Sequence, residues 1–352
     1  MRVAVYGANG FQGKLTTAML MQNGIQAVLV GRNQERLTAA AGELEMSAVE
    51  LRVAEATDRR ALLRAFEGCG AVINCAGPFT RRAEPIVSAA IAAGYHYVDT
   101  AGEQGFVKSV FDNFSGEAQK AGVTVLPSAT DGAVPGDLVA HMIARRAGQI
   151  DSIIVAHKIV GGGGPSKGSL RSVVETCGDI AAGGLTYEDG AWRNGEPLDR
   201  STIAFLGDEE VAISKFPLIE AVTIPRHVWV RRVVGVIETS IATRLSVPFS
   251  EQMIEAVSNP SPDVRKDQTF LIVLEATSTD GGVLRGTVEG TDAYGTTAAI
   301  AVECTRRLVE GQARSGVLAA SQAFEPVEFL DRLAAYNVRW RIEEKTRKAF
   351  MP

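Results

Sequence analysis

Three glycines at a fixed spacing carry the clearest chemical signal in this chain. Val3-Ala-Val-Tyr6 runs into Gly7-Ala8-Asn9-Gly10-Phe11-Gln12-Gly13, a G-x-x-G-x-x-G pattern ahead of a helix-like stretch. In that setting Gly7 lets the chain turn off a strand, Gly10 lets the backbone approach a pyrophosphate, and Gly13 lets the helix pack close to the sheet. The helix start offers free N–H groups and a partial positive charge to phosphate oxygens. A glycine triplet alone is weak evidence, but the first strand–helix junction is the context the chemistry requires. The whole loop, Gly7, Ala8, Asn9, Gly10, Phe11, Gln12 and Gly13, is therefore expected to hold a dinucleotide.

The second apolar run decides which dinucleotide. NAD calls for an acidic residue there to bond the ribose 2′-hydroxyl. This chain reads Ala27-Val-Leu-Val30-Gly31-Arg32-Asn33 instead. The planar fork of Arg32 suits a 2′-phosphate, and Asn33 either caps the next helix or bonds the same phosphate. The cofactor expected is NADP(H). Two further junctions should touch it: Thr57 and Asp58 near the adenine, and Asn74-Cys75-Ala76-Gly77-Pro78-Phe79 beside the nicotinamide ribose. Thr100 and Gly102, after the fifth run, complete the cofactor set.

Hydride transfer also needs a group that donates a proton or stabilises developing charge. The candidates are Asp131, His157, Lys167 and Tyr294, while Asp99 and Glu103 read as helix-capping or loop residues. The second half also offers Lys158, Arg171, Arg226 and His227. Gly161–Gly164 ahead of Lys167 reads as a flap over the nicotinamide or as an inert loop. It is no Walker loop, since Ser166-Lys-Gly-Ser169 lacks the Gly-Lys-Ser/Thr order. No Tyr has a Lys four residues later, which argues against the short-chain dehydrogenase mechanism. The scattered Cys69, Cys75, Cys177 and Cys304 form no Cys-x-x-Cys pair, so no metal site is expected.

These residues need a frame. Short β-branched runs (Val3–Tyr6, Ala27–Val30, Val49–Val53, Ala71–Cys75, Tyr95–Val98, Val123–Leu126) alternate with helical patterns at Lys14–Gln22, Gln34–Leu44, Arg59–Phe66, Glu84–Ala93 and Glu117–Ala121. Continuous hydrophobicity marks strands buried on both faces of a parallel sheet, and the alternation implies a Rossmann-type, doubly wound α/β fold. After Pro135 the pattern changes. A helix over 137–148 is followed by a strand-like run Ile150–Val160, a helix near Leu170–Ala181, and strand candidates Thr202–Leu206, Val236–Leu245, Thr269–Ser278 and Val283–Glu289 between turn-rich segments. That is an inserted α+β domain on a mostly antiparallel sheet. Helices at Ala293–Glu310 and Val327–Tyr336 should return to the first domain. The expected division is 1–135 plus 291–352 for the NADP-binding domain and 136–290 for a substrate and dimerisation domain.

Composition narrows the partners. The chain has 352 residues, a net charge of −5 and 36 glycines. It offers no basic footprint for nucleic acid and no apolar run long enough to insert in a membrane. A small-molecule substrate is expected. Free thiols and the lack of a signal-peptide core point to the cytoplasm.

Several motifs occur in an order that resembles a known family. Gly7–Gly13, Gly31-Arg32, Val72-Ile-Asn-Cys-Ala-Gly-Pro-Phe79 and Tyr97-Val-Asp-Thr-Ala-Gly-Glu103 together look like the saccharopine dehydrogenase-like oxidoreductases, including the trans-acting enoyl reductase branch. Pro127-Ser-Ala-Thr-Asp-Gly-Ala-Val-Pro-Gly-Asp137 resembles that branch's entry to its second domain. Gly290-Thr-Asp-Ala-Tyr-Gly-Thr-Thr297 and Gly316-Val-Leu318 resemble its return. The match is weak through 185–270, the part expected to choose the substrate. The resemblance implies an NADPH-dependent reductase of a C=C or C=N bond, and often a homodimer. An apolar second-domain pocket would favour an enoyl substrate; convergent Arg and Lys would favour a carboxylated imine, as in opine or amino-acid chemistry. A non-catalytic NADP-binding sensor is the reading from another class.

Overall fold

The computed structural model describes residues 1–46, 49–205, 207 and 209–344. Six strands open the chain: β1 (Arg2–Tyr6), β2 (Gln26–Gly31), β3 (Glu50–Val53), β4 (Ala71–Asn74), β5 (His96–Asp99) and β6 (Thr124–Leu126). All pair in parallel. Their side chains alternate between two apolar layers. Val3, Val5, Leu29 and Ile73 face one, with the helices Phe11–Gln22 and Ala293–Val309. Ala4, Val28, Val30 and Val72 face the other, with the helices Arg59–Phe66, Glu84–Ala92 and Gln104–Ala121.

The chain then leaves through the Ala133–Ala147 helix, whose first eight residues are all buried. A second sheet follows: β7 (Ile150–Val160), β8 (Thr186–Glu188), β9 (Ala191–Arg193), β10 (Thr202–Ala204), β11 (Glu210–Lys215), β12 (Val230–Glu238), β13 (Thr269–Ser278) and β14 (Val283–Thr291). The chain returns with β15 (Gly316–Val317), which extends the first sheet to the order β15-β6-β5-β4-β1-β2-β3. It ends in β16 (Arg339–Glu344), which joins the second, in the order β10-β11-β12-β7-β13-β14-β16 with the β8–β9 hairpin alongside. The second sheet is antiparallel except for β7 beside β12. This is the Rossmann-type sheet with an inserted α+β sheet. One apolar core runs through both, joining Leu138, Val139 and Ile143 of the connecting helix to Ile153, Val155, Ile272 and Leu274.

Three sequence expectations shift. The run read as a strand over Val236–Leu245 is β12 up to Glu238 and then a helix, Thr239–Leu245. The strand's start was hidden by Arg231-Arg232; Arg232 is buried and paired to Glu188 at 3.0 Å. Ile241 and Leu245, four apart, lie on one helix face. The Gln104–Ala121 helix is far longer than the expected Glu117–Ala121, because its inner positions are spaced Phe106, Val107, Val110 and Phe111. Residues 339–344 pair with β14, so the last segment is not all first-domain chain. Leu206, at the end of one expected strand, and residues 345–352 lie outside the described residues. Among the described residues no helix is long and apolar enough to cross a membrane.

Candidate active site

The glycine loop is built by exclusion. Gly7 takes φ +79°, and a Cβ there would lie 2.8 Å from that of Ala76. A Cβ on Gly13 would collide with the Gly7 carbonyl oxygen, so Gly13 and the buried Ala8 serve packing behind the loop. Gly10 starts the Phe11–Gln22 helix with no side-chain cap and no acid in the first turn. The first N–H groups of that helix therefore remain free for an anion. They face a cleft of about 1470 Å³ whose wall includes Gly7, Asn9, Gly10, Phe11 and Gln12. A cradle that side chains would fill, with uncapped N–H groups above it, fits a dinucleotide pyrophosphate.

Gly31, Arg32 and Asn33 also line the cleft. The Asn33 side chain is already engaged, since its Oδ1 accepts from Arg36 N at 2.9 Å and caps the Gln34–Glu43 helix. The groups here that could meet a 2′-phosphate are guanidinium groups: Arg32, Arg36 and Arg82 all reach this wall. The buried Tyr6 hydroxyl reports them. Burial and the Glu55 carboxylate push it up to about 12, opposed by Arg32 and Arg82. Thr57 and Asp58 are not on the wall. Asp58 caps the Arg59–Phe66 helix through Ala61 N at 3.0 Å, which turns the chain away, and Glu55 and Ala56 take the place expected for them.

After β4, Cys75, Ala76, Gly77 and Phe79 line the cleft, as do Thr100 and Gly102 after β5. Asn74 and Pro78 do not. Asn74 is fully buried behind the wall, donating to the Tyr97 hydroxyl at 3.1 Å and accepting from Ala76 N at 3.0 Å. Pro78 follows a cis peptide. Burial pushes the Cys75 thiol up to about 12, so it is a packing residue. Glu103 is buried and accepts from Phe79 N (2.8 Å), Thr80 N (2.6 Å) and the Ser172 hydroxyl (2.7 Å). It caps the Phe79–Arg82 helix rather than its own, and ties that helix to the second domain.

The second domain supplies titratable groups to the same cleft. His157 on β7 points its Nε2 at Glu220 Oε1, 2.6 Å away. Glu220, in the short Glu220–Thr223 helix, is 1% exposed. Asp131 stands beside them, its Oδ1 accepting from the Thr297 hydroxyl at 2.8 Å. Burial opposes a charge on His157, but the Glu220 carboxylate, its hydrogen bond and Asp131 outweigh it, so the imidazole holds its proton above the usual range. Burial lifts Asp131 to about 6, with Thr297 and His157 pulling the other way. Asp131 and His157 thus come together, and Glu220 joins them unforeseen. Its one local signal was a lone acid in the apolar run Leu218-Ile-Glu-Ala-Val222.

The other two proton-donor candidates line the same cleft but are committed elsewhere. Lys167 Nζ pairs with Glu255 at 3.0 Å. The Tyr294 hydroxyl accepts from Ser166 N at 2.7 Å, and its ring meets Phe11 edge-on at 5.1 Å. Tyr294 therefore braces the glycine-loop helix against the Lys167–Glu175 helix. Gly161–Gly163 ahead of it packs closely, while Gly164 faces open space: a Cβ on Gly161 would lie 2.7 Å from the Asp267 carbonyl oxygen, and one on Gly162 would collide with that of Val264. Arg226 and His227 are off the cleft. Arg226 covers the Phe111 ring at 4.0 Å, and His227 bonds Asp137 at 2.7 Å.

The remaining wall is apolar: Leu218, Ile237, Ile241, Leu245, Phe249 and Val257. The cations nearby are paired, Lys158 with Glu238 at 3.0 Å and Arg171 with Glu251 at 2.6 Å. Arg244 stands exposed on this wall.

Comparison with known proteins agrees with this architecture. Residues 3–126 match the family model described as the saccharopine dehydrogenase NADP binding domain, so the chain carries an NADP-binding domain of that type. A trans-acting enoyl reductase of Mycobacterium ulcerans is 32% identical over 151 residues, 42% of this chain and 36% of that protein. One from Mycobacterium tuberculosis is 32% identical over 149 residues, 41% of this chain and 36% of that protein. The match thus spans little more than a third of these relatives. The fold as a whole is that of the L-Glu-forming saccharopine dehydrogenase of Saccharomyces cerevisiae, with a TM-score of 0.63 at 13% identity, covering 98% of this chain and 100% of that one.

Proposed function

We propose that this protein is an NADPH-dependent reductase of a conjugated C=C bond in an uncharged, largely apolar small molecule. The observation that carries this reading is the second-domain wall of the cleft that the glycine loop also lines. It is apolar, and the lysines and arginine beside His157 and the Gly161–Gly164 loop are already neutralised by acids. A carboxylated imine would meet Asp131 and Glu220 beside His157, with Arg244 the cation on this wall that has no ion pair among the described residues.

NADPH, when bound, supplies the hydride. The uncapped helix start after Gly10 would hold its pyrophosphate, and Arg32, Arg36 and Arg82 its 2′-phosphate. His157 donates the proton that completes the saturation. The apolar wall orients the substrate and excludes water, which strengthens the interactions of the charged groups left inside. The sensor reading leaves unexplained why a histidine between two carboxylates should face the cleft. A homodimer belongs to this reading, with the Trp229 indole, 86% exposed, as the apolar group it would cover. The four free cysteines fit a reducing compartment, and we assign the protein to the cytoplasm.

The test is NADPH oxidation with a panel of α,β-unsaturated ketones and thioesters beside α-imino acids. Turnover of apolar enoyl compounds is expected. Preferential turnover of imino acids overturns the choice of bond, and tight NADPH binding with no turnover of either class favours the sensor.

A further inference from the structure

We propose that Glu220 is the positioning residue of the proton donor: it holds Nε2–H of His157 so that Nδ1 is the nitrogen presented to substrate. The inference rests on the reading of His157 as proton donor. Its geometry is independent of that reading. A carboxylate oxygen can only accept, so the 2.6 Å contact fixes a proton on Nε2. Among the described residues Nδ1 has no hydrogen-bond partner, and His157 lines the cleft. The pair also has space reserved for it. A Cβ on Gly132 would lie 2.7 Å from His157 Cε1, and one on Gly136 would lie 2.6 Å from Glu220 Oε1. Gly136 sits inside the Ala133–Ala147 helix, where glycine is otherwise disfavoured.

The proton balance is simple. The imidazolium gives its Nδ1 proton to the substrate carbon next to the one that receives the hydride. It becomes neutral imidazole, with the remaining proton still on Nε2 toward Glu220. Solvent then returns a proton to Nδ1. The groups facing the imidazole are Glu220 from its short helix and Asp131 from the loop before the connecting helix. Thr297, neutral, holds Asp131 from the Ala293–Val309 helix. The flanking strands bring only Ile237 and Ile272 into register with it.

The experiment is an NMR titration of the four histidines in the full chain, with kcat and KM followed against pH in parallel. In Glu220→Gln the His157 midpoint should fall by about one unit or more. The alkaline limb of kcat should move with it and KM should hold, while Glu220→Asp, which keeps the charge, restores most of the shift. Gly136→Ala, which intrudes on the carboxylate but leaves both groups in place, should lower the same midpoint and supplies the readout if Glu220→Gln does not fold. A His157 midpoint that stays put in the folded variants overturns the inference. A midpoint that falls while the kcat profile does not follow leaves the pairing intact and overturns the reading of His157 as donor.

Discussion

Removal of Arg32 tests how this chain recognises its cofactor. Arg32 is exposed at the end of β2 and lines the cleft with Arg36 and Arg82. Asn33 is spent on its helix cap, so guanidinium groups are what remains to meet a 2′-phosphate. The electrostatics of Tyr6 put Arg32 and Arg82 within reach of one hydroxyl, so the two act on a shared region. A charge-assisted pair is worth about 1.5–3 kcal/mol, and exposure with salt screening sets a single arginine near the low end. Arg32→Ala should therefore weaken NADPH by about 1.5 kcal/mol, roughly tenfold in Kd. The double variant Arg32→Ala with Arg82→Ala should lose about 3 kcal/mol, roughly a hundredfold. NADH lacks the 2′-phosphate and should bind the variants as it binds the parent. Fluorescence titration with both nucleotides at two salt concentrations reads this out, and the salt dependence of NADPH binding should flatten as the cations go. Equal losses for NADPH and NADH would show that the arginines serve the fold. An unchanged NADPH affinity in the double variant would falsify the assignment.

Other consequences follow from the same geometry. Gly13→Ala drives a methyl into the Gly7 carbonyl oxygen; it should cost about 1–3 kcal/mol in chemical denaturation and weaken NADPH and NADH alike. Glu103→Gln turns an amide donor toward the backbone donors of Phe79 and Thr80 and should cost about 1.5–3 kcal/mol, read as a lower Tm. His157→Gln should lower kcat by about 10²–10⁴ with a smaller effect on KM, measured with any substrate the screen provides. The native His157 holds its proton more tightly than the unfolded chain, so its contribution to stability is complete below about 6.5 and is lost as pH rises through its raised native value. Asp131, lifted to about 6, acts in the same direction, because stability falls as pH rises from its ordinary range through that value. Denaturant melts across this window should therefore show stability falling with pH, and less steeply in His157→Gln.

The glycine-loop part of the candidate cofactor site could be proposed from sequence because it is written in consecutive residues. Gly7, Gly10 and Gly13 act through backbone conformation and the space their missing side chains leave, and both follow from local order. Arg32 was legible because a strand end and a loop start fix where the next side chain goes. Asp58 shows where this reasoning stops: an acid in the loop after a strand is equally good as a helix cap, and the helix took it. The grouping of His157 with Glu220 and Asp131 could not be read in this way. His157 and Glu220 are 63 residues apart and Asp131 and Thr297 are 166 apart. Their meeting depends on the register of β7 against its neighbours and on the close approach of the connecting helix over Gly132 and Gly136. The same holds for the pairing of Lys158, Lys167 and Arg171 with acids on other elements, which turned apparent substrate cations into neutralised ones. Sequence alone determined the parallel sheet, the glycine turn after β1 and the place of Arg32 at the end of β2, because each is a local consequence of side-chain size and period. Only the tertiary structure decided which histidine meets a buried carboxylate, which cations are paired and which apolar residues share the cleft with them, because these depend on neighbours that the order of residues does not name.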